Sequence, residues 1–149
     1  MNIERSILIS FLGNYVTNNV VAALVALIPA SAAAASVITP QYIAYVVFAA
    51  IVIGIFAWWH LSSLPRSNAL MTGVVFGIVG FAIALLTAFI TGISGVLAQT
   101  GSLAQVATVI PNFGPFLFSW STVVLLGYWL IPAAAVGYFM QMRAPKPTA

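Results

Sequence analysis

Four stretches of this chain, Ile7 to Ile28, Tyr42 to Leu61, Leu70 to Leu97 and Phe116 to Met142, contain no Asp, Glu, Lys or Arg. Each reaches the length of about 20 residues that an α-helix needs to cross a hydrocarbon core roughly 30 Å thick. Backbone N–H and C=O groups find no water there, so segments of this kind must be helical. The alternation of a transmembrane strand is missing from all of them. Composition excludes a water-soluble alternative. Of 149 residues, 63% are hydrophobic and 3% are charged, against about a quarter charged in a soluble domain. With a mean hydropathy of +1.16, the chain has too few polar groups to cover a globule in water. The expected fold is an all-α integral membrane protein, one domain with four transmembrane helices in a bundle.

The few charges orient it. Arg5 precedes the first span, Arg66 lies between the second and third, and Arg143 and Lys146 follow the fourth. The other two connections, 29–41 and 98–115, carry no charge. Positively charged loops stay in the cytoplasm, which places both termini and the Arg66 loop inside and assigns the chain to the cytoplasmic (inner) membrane. Trp58 and Trp59 then fall at the inner interface, Tyr42 and Tyr45 at the outer one. Residues 29–36, PASAAAAS, contain the small-x-small pattern of a signal-peptidase site. The length of the first span and the amides within it argue instead for a retained helix.

The connections are short. Ser67 or Asn68 is placed to cap the third span. The outer connection has room for a short interfacial helix over Ser102 to Ile110, with Pro111, Gly114 and Pro115 breaking the chain before span four. The tail, 144–149, is expected to be flexible.

The first span holds the sequence's main anomaly. Residues 13–19 read GNYVTNN, an unusual density of amides for a segment in oil. On a wheel at 100° per residue, Asn14, Tyr15, Asn18 and Asn19 fall within an arc of about 140°, continued by Ala22 and Ala26. Leu12, Val16, Val20, Leu24 and Leu27 form the opposite, lipid-suited face. An unpaired amide in hydrocarbon costs several kcal/mol, so partners must come from other helices or from trapped water. The face is read as interhelical hydrogen bonding, with the lining of a polar pocket or path as its rival, Asn14, Tyr15, Thr17 and Asn18 being the candidate lining.

Span three carries a second pattern. Gly73, Gly77, Gly80, Ala84, Thr87, Thr91 and Ser94 alternate spacings of four and three. Such a seam keeps one stripe toward a partner helix, and small side chains let backbones come close. Ala50, Gly54 and Ala57 of span two offer a shorter matching stripe. In span four, Pro132 lacks an N–H and crowds the carbonyl of Tyr128, which predicts a kink that shapes the helix. Tyr128 and Trp129 beside it are candidate contacts for a lipid or quinone ring.

The missing chemistry narrows the function. Glu4 is the single carboxylate, His60 the single histidine, and there is no cysteine. Carboxylate acid–base work, thiol chemistry and the usual metal or haem ligand sets therefore lack their residues. Four scattered cations make no nucleic-acid surface. His60 is expected at headgroup level, at the opposite end of the protein from Ser119 and Ser121. No cofactor is expected. Small multidrug transporters carry a glutamate in their first span where this chain has asparagine, and no family is claimed. The expected function is non-catalytic: an accessory or scaffold subunit packing against other membrane proteins or against its own copies, among membrane lipids. The alternatives are a small oligomeric channel or neutral-solute carrier lined by the amide face, and a lipid- or quinone-binding protein.

Overall fold

The structure, a computed structural model, describes residues 3–28 and 38–144. The small-residue stretch at 29–36 and the tail from 145 onward lie outside the described residues. What is described is helical, and four helices are long and apolar enough to cross a membrane. They are α1 (Ile3–Ala26), α2 (Pro40–Leu61), α3 (Ala69–Thr100) and, after two short helices, α6 (Trp120–Met142). The short helices are α4 (Leu103–Val106) and α5 (Val109–Leu117).

Local chemistry sets the ends. Thr39 caps α2 by accepting the N–H of Tyr42 at 3.1 Å, and Pro40 follows in the first turn, where its missing N–H costs nothing. At its far end α3 stops on Gly101, whose φ of 63° needs glycine and whose N–H returns to the carbonyl of Leu97 at 2.8 Å. The start of α3 departs from expectation. Ser67 and Asn68 lie in a 3₁₀ turn over Arg66–Asn68 and make no side-chain cap. Gln141 of α6 supplies the cap from across the fold, its side-chain oxygen accepting the N–H of Leu70 at 3.1 Å.

The break before span four also differs. Val109–Leu117 remains helical through Pro111, Gly114 and Pro115, and the chain turns only at Phe118 and Ser119. Pro111 sits in the first turn of α5, where proline removes no hydrogen bond. Ser119 is extended, and the Thr122 hydroxyl donates to the carbonyl of Phe116 at 2.6 Å, so the membrane helix begins at Trp120 and not at Phe116.

The most extensive helix contact joins α3 to α6, followed by α2 on α6, and α1 packs on both α2 and α3. The seam of α3 therefore meets span four rather than the shorter stripe that α2 offers. Gly73 lies against the carbonyl of Ala133, and a Cβ on Gly77 would stand 2.9 Å from the Cα of Leu130. Gly137 answers from α6, where a Cβ would stand 3.0 Å from the Cα of Leu70. In lipid there is no water to squeeze out between helices, so this close backbone approach and its dispersion contacts hold the pair. Gly80 lies under the indole of Trp129, which is fully buried. Gly54 of the α2 stripe also faces α6, at Pro132, through which α6 continues as helix to Met142. Ile53, Ala57, Phe76, Trp129 and Ala133 form the centre of the packed interior.

Candidate functional site

Beyond Ala84 the seam leaves its partner. Thr87 is half buried, and Thr91 and Ser94 are exposed. Ala84, Thr87 and Thr91 instead line a cavity of about 710 Å³ between α1, α2, α3 and α6. Its other walls include Phe11, Asn14, Tyr15, Asn18 and Asn19 from α1, Tyr42, Tyr45 and Val46 from α2, and Ser121, Leu125 and Tyr128 from α6. Phe116 of α5 also lines it, and α5 itself is held to α3 by Phe113 against Phe89 at 4.9 Å between ring centroids. Two patterns that are unrelated in the sequence, the amides of span one and the small residues of span three, thus meet at one place.

A chain of side-chain hydrogen bonds runs along its polar wall. The Tyr45 hydroxyl donates to Asn18 Oδ1 at 3.3 Å, Asn18 Nδ2 donates to Asn14 Oδ1 at 3.1 Å, and Asn14 Nδ2 donates to Thr87 Oγ1 at 3.0 Å. Thr87 Oγ1 then donates to the carbonyl of Ile83 at 2.8 Å. Three helices are joined by it. Tyr45 also stands edge-on to Tyr128, ring centroids 6.3 Å apart. The cavity wall carries no ionisable acid or base other than tyrosine.

Burial divides the amide face of α1. The buried stripe of α1 is Ser6, Ile9, Ser10, Gly13, Asn14, Thr17, Val21 and Val25. Asn14 is on it, but Tyr15, Asn18 and Asn19 are exposed. Asn18 and Tyr15 sit at the rim of the cavity, and Asn19 turns back to donate to the carbonyl of Tyr15 at 2.8 Å. The reason lies in the backbone. Thr17–Val21 is a π-helix, whose hydrogen bonds reach five residues back. From Gly13 onward the buried stripe advances by fours, to Thr17, Val21 and Val25. A spacing of four drifts about 40° per step on a regular helix, and the wider π turn takes up that drift. Thr17 is not in the cavity; it is buried, and its hydroxyl is tied to the carbonyl of Gly13 at 2.8 Å.

His60 is not an exposed interfacial side chain. It is fully buried at the end of α2, its Nε2 hydrogen-bonded to the Ser6 hydroxyl at 2.8 Å and its ring stacked on Phe76 at 5.2 Å. This pair ties the start of α1 to the end of α2. The sequence hides it because Ser6 reads as part of the polar lead-in to span one. Both side chains are buried. Its Nδ1 has no partner among the described residues, nor do Ser10 Oγ and Trp129 Nε1. Trp129 faces away from the cavity into the packed interior, so of the two aromatic candidates in span four Tyr128 alone lines the site. Among the described residues no group of His, Cys, Asp or Glu is placed to hold a metal ion. No protein-family model, curated protein or solved structure matches this chain.

Proposed function

We propose that the chain is a non-catalytic protein of the cytoplasmic membrane, a four-helix bundle with both termini inside, that holds a small neutral molecule in the cavity between its helices. One observation carries the reading: the 710 Å³ cavity, midway along α1 and α3 and beside the first turns of α2 and α6, has aromatic walls and a hydrogen-bonded amide wall with no fixed charge. Ligand sites commonly span about 300–1,000 Å³ and combine apolar walls with a few placed polar groups. Amides in hydrocarbon are costly, and here they face a space instead of being packed away. The reading joins two of the sequence-level alternatives, a neutral-solute carrier and a lipid- or quinone-binding protein.

Ala88 lines the cavity and is exposed, so Ala88→Trp fills space without disturbing the α3–α6 contact. Intact-complex mass spectrometry from membranes in mild detergent should show a neutral molecule on the parent chain and none on Ala88→Trp, with thermal unfolding unchanged. Equal occupancy of both, or none on either, would sink the proposal.

The accessory-subunit reading keeps one observation of its own. Tyr15 is 60% exposed, and Asn19 beside it is exposed near mid-membrane with only its own backbone as partner. Lipid is a poor neighbour for an amide, which favours a covering protein on this face. The same mass measurement weighs any such protein partner or second copy. The orientation rests on Arg5, Arg66, Arg143 and Lys146. Because the chain has no cysteine, single cysteines at Ser63 and Ser102 report it directly: the first should label only from the cytoplasmic side, the second only from outside.

A further inference from the structure

We infer that the cavity receives its ligand through a neutral hydrogen-bond acceptor, a planar carbonyl-bearing ring on an apolar tail, of the quinone type. The inference rests on the cavity being a binding site and narrows what it binds.

The polarity of the hydrogen-bond chain is set at one end. Thr87 Oγ1 spends its proton on the backbone carbonyl of Ile83 at 2.8 Å, and a carbonyl can only accept. Asn14 must therefore approach Thr87 with an N–H. That turns Asn14 Oδ1 toward Asn18, which must in turn present its own N–H, leaving Asn18 Oδ1 for the Tyr45 hydroxyl. A single carbonyl thus decides which way both amides lie, an assignment that shape alone leaves open.

Counting what remains defines the ligand. The hydroxyl protons of Tyr45 and Thr87 are committed. Each amide nitrogen carries two protons and the chain uses one. One N–H on Asn14 and one on Asn18 are left without a partner among the described residues, and both side chains line the cavity. A carbonyl oxygen already accepting one bond tolerates an idle lone pair, but an idle N–H out of water is a distinct cost. The two amides therefore present donors that suit an acceptor. No cation stands in the cavity to pair with an anion, so the acceptor is neutral. Tyr45 and Tyr128, set edge to face at 6.3 Å, with Phe116 nearby, favour a flat ring beside it.

Depth separates two sources of carbonyl oxygen. Asn14 lies roughly 16 Å along α1 from Ile3, near the middle of a helix about 36 Å long. Ester carbonyls of bilayer lipids stay near the headgroups, outside the hydrocarbon core. For a carbonyl that meets Asn14, this favours a molecule dissolved in the core. Tyr42 and Tyr45 near the start of α2 and Ser121 near the start of α6 line the same cavity, so a diacylglycerol probe decides between the two sources.

The test uses the full chain in lipid nanodiscs and three probes: a 1,4-benzoquinone with a ten-carbon tail, benzene with the same tail, and a diacylglycerol. The benzoquinone should bind about tenfold more tightly than the alkylbenzene, the effect of two N–H donors. Asn18→Leu, which also removes the bonds to Asn14 and Tyr45, should reduce that preference to about threefold, the effect of the one donor left on Asn14, while alkylbenzene binding and cooperative unfolding persist. Diacylglycerol should not displace the quinone. Equal binding of the two ring compounds would overturn acceptor recognition and leave the cavity as a binding site. Displacement by diacylglycerol would reassign it to ester lipids. No binding of any probe, on a chain that unfolds cooperatively, would remove the binding site itself.

Discussion

Gly73→Ala and Gly77→Ala should each lower the unfolding temperature of the purified protein sharply, while Gly95→Ala on the same helix should raise it slightly. All three add one methyl group to α3, and what that methyl meets decides the outcome. At Gly73 it meets the backbone carbonyl of Ala133, and at Gly77 the Cα of Leu130 at 2.9 Å. Backbone cannot rotate aside, so α3 and α6 must separate along their length, and overpacking of this kind costs about 1–3 kcal/mol or more. Gly137 lies at the same contact from the other side, so the parting helices also lose that approach. At Gly95 the methyl meets nothing within 4 Å, and exchanging glycine for alanine inside a helix favours folding by about 0.5–1 kcal/mol. Thermal unfolding in one mild detergent, followed by intrinsic fluorescence, compares the three. If Gly73→Ala melts with the parent, the helices are not held by close backbone approach.

Trp129→Ala should be the most damaging side-chain truncation in the chain, and Trp129→Phe close to harmless. The indole is fully buried and covers Gly80, with Phe76 at 6.3 Å on one side and the tip of the ring 3.4 Å from where a Gly13 Cβ would stand. It therefore touches α1 and α3 from α6. Removing it leaves a void on the order of 100 Å³, and at about 24 cal/mol per Å³ this alone costs roughly 2–3 kcal/mol. Phenylalanine restores most of the ring. It also deletes the Nε1–H, which is buried without a partner among the described residues and costs on the order of 1–3 kcal/mol as it stands. The two effects oppose each other in Trp129→Phe and act together in neither variant. Chemical unfolding of the three proteins distinguishes them. Equal losses for Phe and Ala would mean that the indole N–H is paired, and that packing is not what Trp129 contributes.

Both predictions fall on the seam of α3, and the way that seam divides shows what a one-dimensional reading could see. The stripe Gly73 to Ser94 is visible in sequence because small residues recur at a regular helical spacing. Its partner is not visible. Gly54 and Ala57 offered α2 the same kind of surface, but Gly137, Ala133 and the flat face of Trp129 fit α3 more closely. Nor does periodicity say where a seam stops touching anything. Above Gly80 the same small residues become the wall of a cavity, and Thr87 changes from a spacer into the end of a hydrogen-bond chain.

The amides follow the same logic. That Asn14, Asn18 and Asn19 required partners was legible, since hydrocarbon offers none. Which of them faced inward was not, because a wheel assumes 100° per residue and Thr17–Val21 is wound as a π-helix. His60 shows the limit from the other direction. A histidine next to Trp58 and Trp59 reads as interfacial, yet a serine 54 residues earlier in the chain takes it into the interior.

The sequence by itself determined the solvent, the number of long helices and their approximate ends. These follow from local quantities: length, charge and backbone hydrogen bonding in oil, each readable from neighbouring residues. Only the tertiary structure decided that α3 packs on α6, that Gln141 and not Asn68 caps α3, and that amides, tyrosines and a threonine from separate helices share one cavity. Those outcomes depend on the shapes of surfaces far apart in the chain, and in lipid, with no water to expel between helices, shape and hydrogen bonding are what choose between them.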